Sequence, residues 1–247
     1  MLRSYKEHSE NNKSPHCLFK IGGFQRFSLI DYPGKISCIV FTQGCNFRCP
    51  YCYNIELVLP EHFGETIPEE DILQFLNLRI GKLEGVVITG GEPTIHTGLK
   101  DFILKVKKLP FSVKLDTNGS MPEVIEELLK DGLIDYVAMD VKAPPHKYME
   151  VVRAKVDIKA IHKSINLIMS SGVDYEFRTT VVKEQLTKED IMKIAEIIEG
   201  AKRYYLQKFL PDKTLDPTFS NKTTYSDEEF GEILSSIRSK FTECGVR

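Results

Sequence analysis

Three cysteines lie within eight residues of this 247-residue chain, in the run Cys45-Asn-Phe-Arg-Cys49-Pro-Tyr-Cys52. Thiolates are soft ligands that suit zinc or an iron–sulfur cluster. Structural zinc needs four ligands, commonly from paired C-x2-C modules, and the nearest fourth candidate, His62, has no spacing that recommends it. Three thiolates suit a [4Fe–4S] cubane whose fourth iron is open to a small molecule. Zinc, or thiols without a shared ligand, is the alternative.

A second motif, Gly90-Gly91-Glu92-Pro93, follows an apolar run further along the chain. Glycines let the backbone approach a ligand closely, and a carboxylate can accept hydrogen bonds from an ammonium group. The motif is therefore a candidate for contact with a ligand. The alternative is a plain turn between a strand and a helix.

Asp116, Thr117 and Asn118 follow the next apolar run and precede Gly119. Aspartate, asparagine and glycine all favour turns, so a turn without ligand contact is one interpretation. The other is a site for a ribose or a cation, because the segment follows a strand as the two preceding motifs do.

Further charged residues follow the fourth and fifth apolar runs. Asp140 and Lys142 flank Val141, so in an extended segment their side chains share a face. Lys142 could meet a carboxylate or form a structural ion pair. Arg178 has the same two possibilities, as an anion anchor or as an ion-pair partner.

The elements that position these residues alternate in type. Short apolar runs typical of strands buried on both faces occupy residues 36–41, 85–89, 112–115, 136–139, 175–181 and 203–209. Segments with helical periodicity or helix-start signals occupy residues 69–78, 99–108, 122–130, 157–170, 190–199 and 227–241. The alternation predicts about six βα units over residues 35–210, in an α/β fold that is either an open doubly wound sheet or a partial barrel. We expect one domain over residues 1–247, with a polar N-terminal arm at residues 1–20.

Each polar motif comes directly after a predicted strand. Ligands of parallel α/β folds bind at the carboxyl ends of the strands. The sequence therefore predicts one large site on one face of the sheet.

The cysteine motif, with Tyr51 as its aromatic residue, resembles C-x3-C-x-aromatic-C of the radical S-adenosylmethionine (SAM) superfamily, and Gly90-Gly91-Glu92-Pro93 resembles its GGEP motif. The resemblance implies a partial (β/α)6 barrel with parallel strands inside and helices outside. It also implies a [4Fe–4S] cluster on the three cysteines, and SAM bound by the remaining site residues. In these enzymes the GGEP carbonyls and glutamate receive the methionine amino group.

The segments Asp31-Tyr-Pro-Gly-Lys35 and Phe41-Thr-Gln-Gly-Cys45 narrow the resemblance to glycyl-radical-enzyme activating proteins, most strongly those of anaerobic ribonucleoside-triphosphate reductase. This implies an oxidoreductase with a glycyl-radical partner enzyme and an electron donor such as flavodoxin or ferredoxin. Asp116 and Asp140 are then candidates for a monovalent-cation site. Activating proteins often carry His-Asn after the last cysteine of the motif, whereas this chain has Tyr53-Asn54. A small-molecule enzyme similar to 7-carboxy-7-deazaguanine synthase is the alternative, although the plain C-x3-C-x2-C spacing disfavours it.

Composition restricts the class of protein further. The net charge of −2 gives no overall attraction to nucleic acid or to an anionic membrane. No apolar stretch approaches the roughly 18–20 residues of a membrane span, and the polar N-terminus lacks the apolar region of a signal peptide. We therefore expect a cytoplasmic protein with reduced thiols.

Overall fold

The computed structural model describes residues 19–247, so the predicted polar arm lies almost wholly outside the described residues, and one domain over the whole chain stays a prediction. The described residues form an eight-stranded sheet whose strand order follows the chain. The strands are β1 (Ile21–Ser28), β2 (Ser37–Thr42), β3 (Gly85–Gly90), β4 (Ser112–Thr117), β5 (Tyr136–Asp140), β6 (Asp174–Val181), β7 (Arg203–Lys208) and β8 (Glu243–Val246). Strand β1 is antiparallel to β2, and all later neighbours are parallel.

The α-helices of the described residues are α1 (Ile55–Val58), α2 (Glu69–Asn77), α3 (Leu99–Lys107), α4 (Pro122–Lys130), α5 (Tyr148–Val152), α6 (Ile158–Ser170), α7 (Lys188–Ile197) and α8 (Asp227–Ile237). The predicted capping box of α8 is present, because Ser226 accepts from the backbone of Glu229 and Glu229 accepts from that of Ser226. The helix is shorter than predicted. It ends at Ile237, and a 3₁₀ turn over Arg238–Lys240 follows.

The order of the strands distinguishes the two predicted architectures. A doubly wound sheet reverses its strand order at a switch point, whereas this order is sequential. Sequential right-handed crossovers place all connecting helices on one side of the sheet. The fold is therefore an open partial barrel with parallel strands inside and helices outside, as predicted, and β2 to β7 are the six predicted strands.

The two faces of the sheet bury different side chains. The outer face packs against the helices in the main core, which includes Val86 and Ile88 of β3 and Phe102 and Ile103 of α3. The inner face holds a smaller apolar cluster, formed by Tyr32, Ile39, Val87, Tyr136 and Ala138. Alternate residues of each strand thus point to the barrel interior.

Strands β1 and β8 were not predicted. Strand β1 begins with Ile21-Gly22-Gly23 and is partly exposed, so it lacks the continuous apolar run of a central strand. Strand β8 has only four residues, and none of them is fully buried. No helix among the described residues is long and apolar enough to span a membrane.

Candidate functional site

A cavity of about 310 Å³ lies where strands β2 to β7 end. It lies within the range of small-molecule sites, roughly 300–1,000 Å³. The predicted site residues that line it are Cys45, Cys49, Tyr51, Cys52, Gly90, Gly91, Glu92, Asp116, Thr117, Asn118, Asp140, Lys142 and Arg178. Pro93 is the exception. It is buried at the start of a 3₁₀ turn and does not line the cavity.

The cysteines lie on an irregular loop between β2 and α1 that is held by its own hydrogen bonds. The guanidinium of Arg48 donates to the carbonyl of Cys45 at 2.6 Å, and the backbone N–H of Phe47 donates to the Cys45 sulfur at 3.4 Å. The backbone N–H of Cys52 donates to the carbonyl of Cys49 at 3.0 Å. These bonds orient the thiols toward a common space.

Cys49 is buried, and Cys45 and Cys52 are half-buried. Burial raises the pKa of Cys45 to about 12 and that of Cys49 to about 11, and it also raises the pKa of Cys52. Tyr51 is buried beside Cys49, and burial raises the pKa of its hydroxyl. Without a bound metal the three thiols are therefore protonated, so metal binding must release protons.

The number of thiols at the cavity bears on which metal group they could hold. Within residues 19–247, no three His, Cys, Asp or Glu side chains are placed to hold one metal ion. A zinc site requires its thiolates at about 2.3 Å from the same ion, whereas a cubane binds each thiolate to a different iron. Three thiols that line one cavity can supply one ligand to each of three irons of a [4Fe–4S] cluster.

The glycine-rich turn packs directly against the cysteine loop. Gly90 has φ +121°, and a Cβ there would overlap the backbone of Thr42. A Cβ on Gly91 would overlap the carbonyl of Gly44, to which the backbone N–H of Glu92 donates at 2.8 Å. Gly44 precedes Cys45, so these glycines are needed to bring the turn and the thiols together.

Glu92 is 1% exposed, and its carboxylate joins the ends of β3 and β4. One oxygen, Oε1, accepts from the backbone N–H of Thr94 at 3.1 Å, from the Thr94 hydroxyl at 2.5 Å and from the Thr117 hydroxyl at 2.7 Å. The other, Oε2, accepts from the backbone N–H of Asn118 at 2.6 Å. Burial raises the pKa of Glu92 despite these bonds. Only Oε2 retains a free lone pair for a ligand.

A chain of alternating charges crosses the barrel interior beside the cavity. Lys114 pairs with Asp116, and Arg178 joins Asp116 at 3.0 Å to Asp140 at 2.8 Å. Lys142 pairs with Asp140 at 2.8 Å. Burial alone would raise the pKa of Asp140, but Arg178 and Lys142 outweigh it and lower this pKa to about 2. Three cations face two carboxylates, so the chain of charges carries one excess positive charge.

Of the two interpretations given for Lys142 and Arg178, the contacts show the structural ion pair. The role of each as an anion contact stays a prediction. Asp116 and Asp140, the candidates for a monovalent cation, already have cationic partners from the chain itself. The cation site stays a prediction.

Several cavity residues were missed. Tyr53 and Asn54 directly follow Cys52, and Thr89 lies near the end of β3, so their positions alone could have identified them. Lys114 is 2% exposed and two residues before Asp116 on the same face of β4. A lysine within a mainly apolar strand is the feature of the sequence that could have identified Lys114.

Comparisons with known proteins agree with this site. The family model of the radical SAM superfamily matches residues 39–198. A Methanocaldococcus jannaschii protein, described as a putative glycyl-radical enzyme activating enzyme, is 38% identical over 231 residues, covering 90% of this chain and 93% of that protein. The pyruvate formate-lyase-activating enzyme of Clostridium pasteurianum is 29% identical over 203 residues, covering 79% of this chain and 83% of that enzyme.

A solved structure shares the fold. Streptococcus suis SuiB bound to S-adenosylmethionine superposes with a TM-score of 0.62 at 14% identity, over 81% of this chain and 48% of SuiB. The chain thus spans about half the length of that protein. Because the family model covers most of the chain and all three clustered cysteines, the chain belongs to the radical SAM superfamily, whose members use a [4Fe–4S] cluster and S-adenosylmethionine.

Proposed function

We propose that this chain activates a glycyl-radical enzyme by generating a radical on a backbone glycine of that partner, with anaerobic ribonucleoside-triphosphate reductase as the leading candidate. The observation that carries the proposal is the cavity, which brings three thiols together with the GGEP turn and the charged residues of β4 to β6. The 38% identity to a putative activating enzyme over 90% of the chain supports an activase over other radical SAM enzymes.

In this proposal Cys45, Cys49 and Cys52 each hold one iron, and the fourth iron is left for SAM. A cluster held there would supply one electron for reductive cleavage of the sulfur–carbon bond of SAM, the source of the radical that would abstract hydrogen from the partner. The fit rests on the donor set, since three cysteines, which are soft ligands when deprotonated, line the same cavity.

The remaining residues bind and orient SAM. Glu92 Oε2 accepts a hydrogen bond from the methionine ammonium group, because it has a free lone pair. Lys142 and Arg178 attract the carboxylate, since the charged chain to which they belong has an excess positive charge. Asp116, Thr117 and Asn118 lie at the end of β4 and face the ribose.

The test is made on anaerobically reconstituted protein. We expect a brown protein with about four irons per chain, as a [4Fe–4S] cluster requires. Addition of dithionite and SAM should yield 5′-deoxyadenosine. In the presence of the reductase encoded by the same genome, a glycyl doublet should appear in the EPR spectrum. Flavodoxin or ferredoxin should replace dithionite as the electron donor.

The matched control is the same reductase with its radical glycine replaced by alanine, which should give no doublet. SAM cleavage without a doublet on the natural reductase would argue against the activase and favour the small-molecule alternative. A colourless protein containing zinc would contradict both.

A further inference from the structure

The cysteine loop is held by a distant segment of the chain. Residues 209–217, which follow β7 and are here called the clasp, run beside the loop. The backbone N–H of Leu215 donates to the carbonyl of Cys52 at 2.9 Å, and that of Asp216 donates to the carbonyl of Pro50 at 3.0 Å. The loop has no regular structure, so these carbonyls need partners from elsewhere. The clasp therefore fixes the backbone on both sides of Tyr51.

Tyr53 makes a third connection between the same two segments. Its ring stacks on Phe209, with ring centroids 6.3 Å apart and planes 4° apart. Its hydroxyl accepts a hydrogen bond from the backbone N–H of Leu210 at 2.6 Å. An ion pair between Glu56 and Lys213 reinforces the contact at the surface. One side chain thus holds the start of the clasp by its ring and by its hydroxyl.

The position of Tyr53 couples this contact to the metal ligands. Tyr53 directly follows Cys52, so a restraint on the Tyr53 side chain also acts on the backbone beside that cysteine. Tyr53 and Asn54 also line the cavity. A side chain restrained at both the ring and the hydroxyl limits the backbone freedom of residues 52–54, and hence the placement of the sulfur.

The far end of the clasp is fixed independently. Asp216 pairs with Arg153 at 2.5 Å, and the Arg153 guanidinium lies over the Phe219 ring at 5.7 Å from its centroid. The backbone N–H of Arg48 donates to the carbonyl of Val152, which precedes Arg153. Because the far end has its own anchors, loss of the Tyr53 contact should loosen the clasp locally without unfolding it.

We infer that Tyr53 is a positioning residue that latches the clasp onto the cysteine loop, and that the latched clasp shields the Cys52 side of the cluster from solvent. The second half of this inference rests on the proposed cluster at Cys45, Cys49 and Cys52. Residues packed around a metal site control the access of solvent to the metal.

The test compares Tyr53→Phe with Tyr175→Phe in the full chain. Tyr175 is a matched control, because its hydroxyl also accepts from a backbone N–H, that of Lys202 at 3.1 Å, at the opposite end of the sheet. Amide hydrogen exchange is measured first on the cluster-free protein. Loss of one hydrogen bond should speed exchange at Leu210, Leu215 and Asp216 by about 2- to 10-fold in Tyr53→Phe, and leave these amides unchanged in Tyr175→Phe.

Iron release from the reconstituted proteins to a chelator is measured next. Tyr53→Phe should lose iron several-fold faster than the wild type, and Tyr175→Phe should match it. A merely structural role would lower the unfolding temperature without changing the rate of iron release from the folded protein. Unchanged exchange in Tyr53→Phe would overturn the latch, and faster exchange with unchanged iron release would overturn the shielding. Failure of the proposed function would appear instead as absent SAM cleavage by the wild type.

Discussion

Replacement of Glu92 by glutamine tests how the GGEP turn acts. The substitution keeps the shape of the side chain but removes its charge. The amide NH₂ group must face either the backbone N–H of Thr94 or that of Asn118, which are 3.1 and 2.6 Å from the present oxygens. Neither N–H can accept a hydrogen bond, so one donor in a fully buried site loses its partner whichever way the amide is turned.

The expected magnitudes follow from these contacts. An unsatisfied buried donor costs about 1–3 kcal/mol of folding free energy. The loss should lie at the lower end, because burial already disfavours the ionised form of Glu92. For SAM, loss of a hydrogen bond between the ammonium group and the carboxylate should cost about 1.5–3 kcal/mol. At about 1.4 kcal/mol per tenfold, the Kd of SAM should rise roughly 10- to 140-fold.

The assay is equilibrium binding of SAM to cluster-loaded Glu92→Gln under anaerobic conditions, with iron content and thermal unfolding measured in parallel. Thr94→Val is the control. It removes one hydroxyl donor to Glu92 at 2.5 Å but keeps the carboxylate, and Thr94 does not line the cavity. We expect unchanged iron content in both variants and a large loss of SAM affinity in Glu92→Gln alone. Equal affinities in Glu92→Gln and the wild type would refute a contact between Glu92 and the ammonium group.

Three further predictions follow from the site. Cys45→Ala, Cys49→Ala and Cys52→Ala should each abolish formation of 5′-deoxyadenosine, whereas Cys38→Ala should retain it, because Cys38 is fully buried in the main core. Asp140 contributes stability that is complete above its unfolded pKa of 3.8 and is lost as pH falls through about 2. Urea unfolding should therefore show Asp140→Asn less stable than the wild type at pH 6, with the difference shrinking toward pH 2; a constant difference would contradict the ion pairs. Chelation of the iron should leave the far-UV circular dichroism unchanged, because the cysteine loop lies outside the sheet. It should lower the unfolding temperature, because a group that binds only the folded protein stabilises it.

Much of the fold was predictable because it depends on local patterns. The runs that became β2 to β7 are mainly apolar, since most of their side chains are buried against the helices or inside the barrel. The location of the site at one edge of the sheet was also predictable, because the carboxyl ends of parallel strands lie on the same side of the sheet. The sequence indicated that the backbone at Gly90 approaches another group closely, but it did not show which group. The glycine is required by the backbone of Thr42, a contact across two strands.

The motifs of the site could be recognised from the sequence, because three closely spaced thiols and a glycine-rich acidic turn are local features. The tertiary structure alone decided the partners of the charged residues and the support of the cysteine loop. Arg178 links Asp116 to Asp140 across three strands, and Tyr53 meets Leu210 at a separation of 157 residues. Spacing along a chain carries no information about such contacts, since they depend on how the strands are brought side by side.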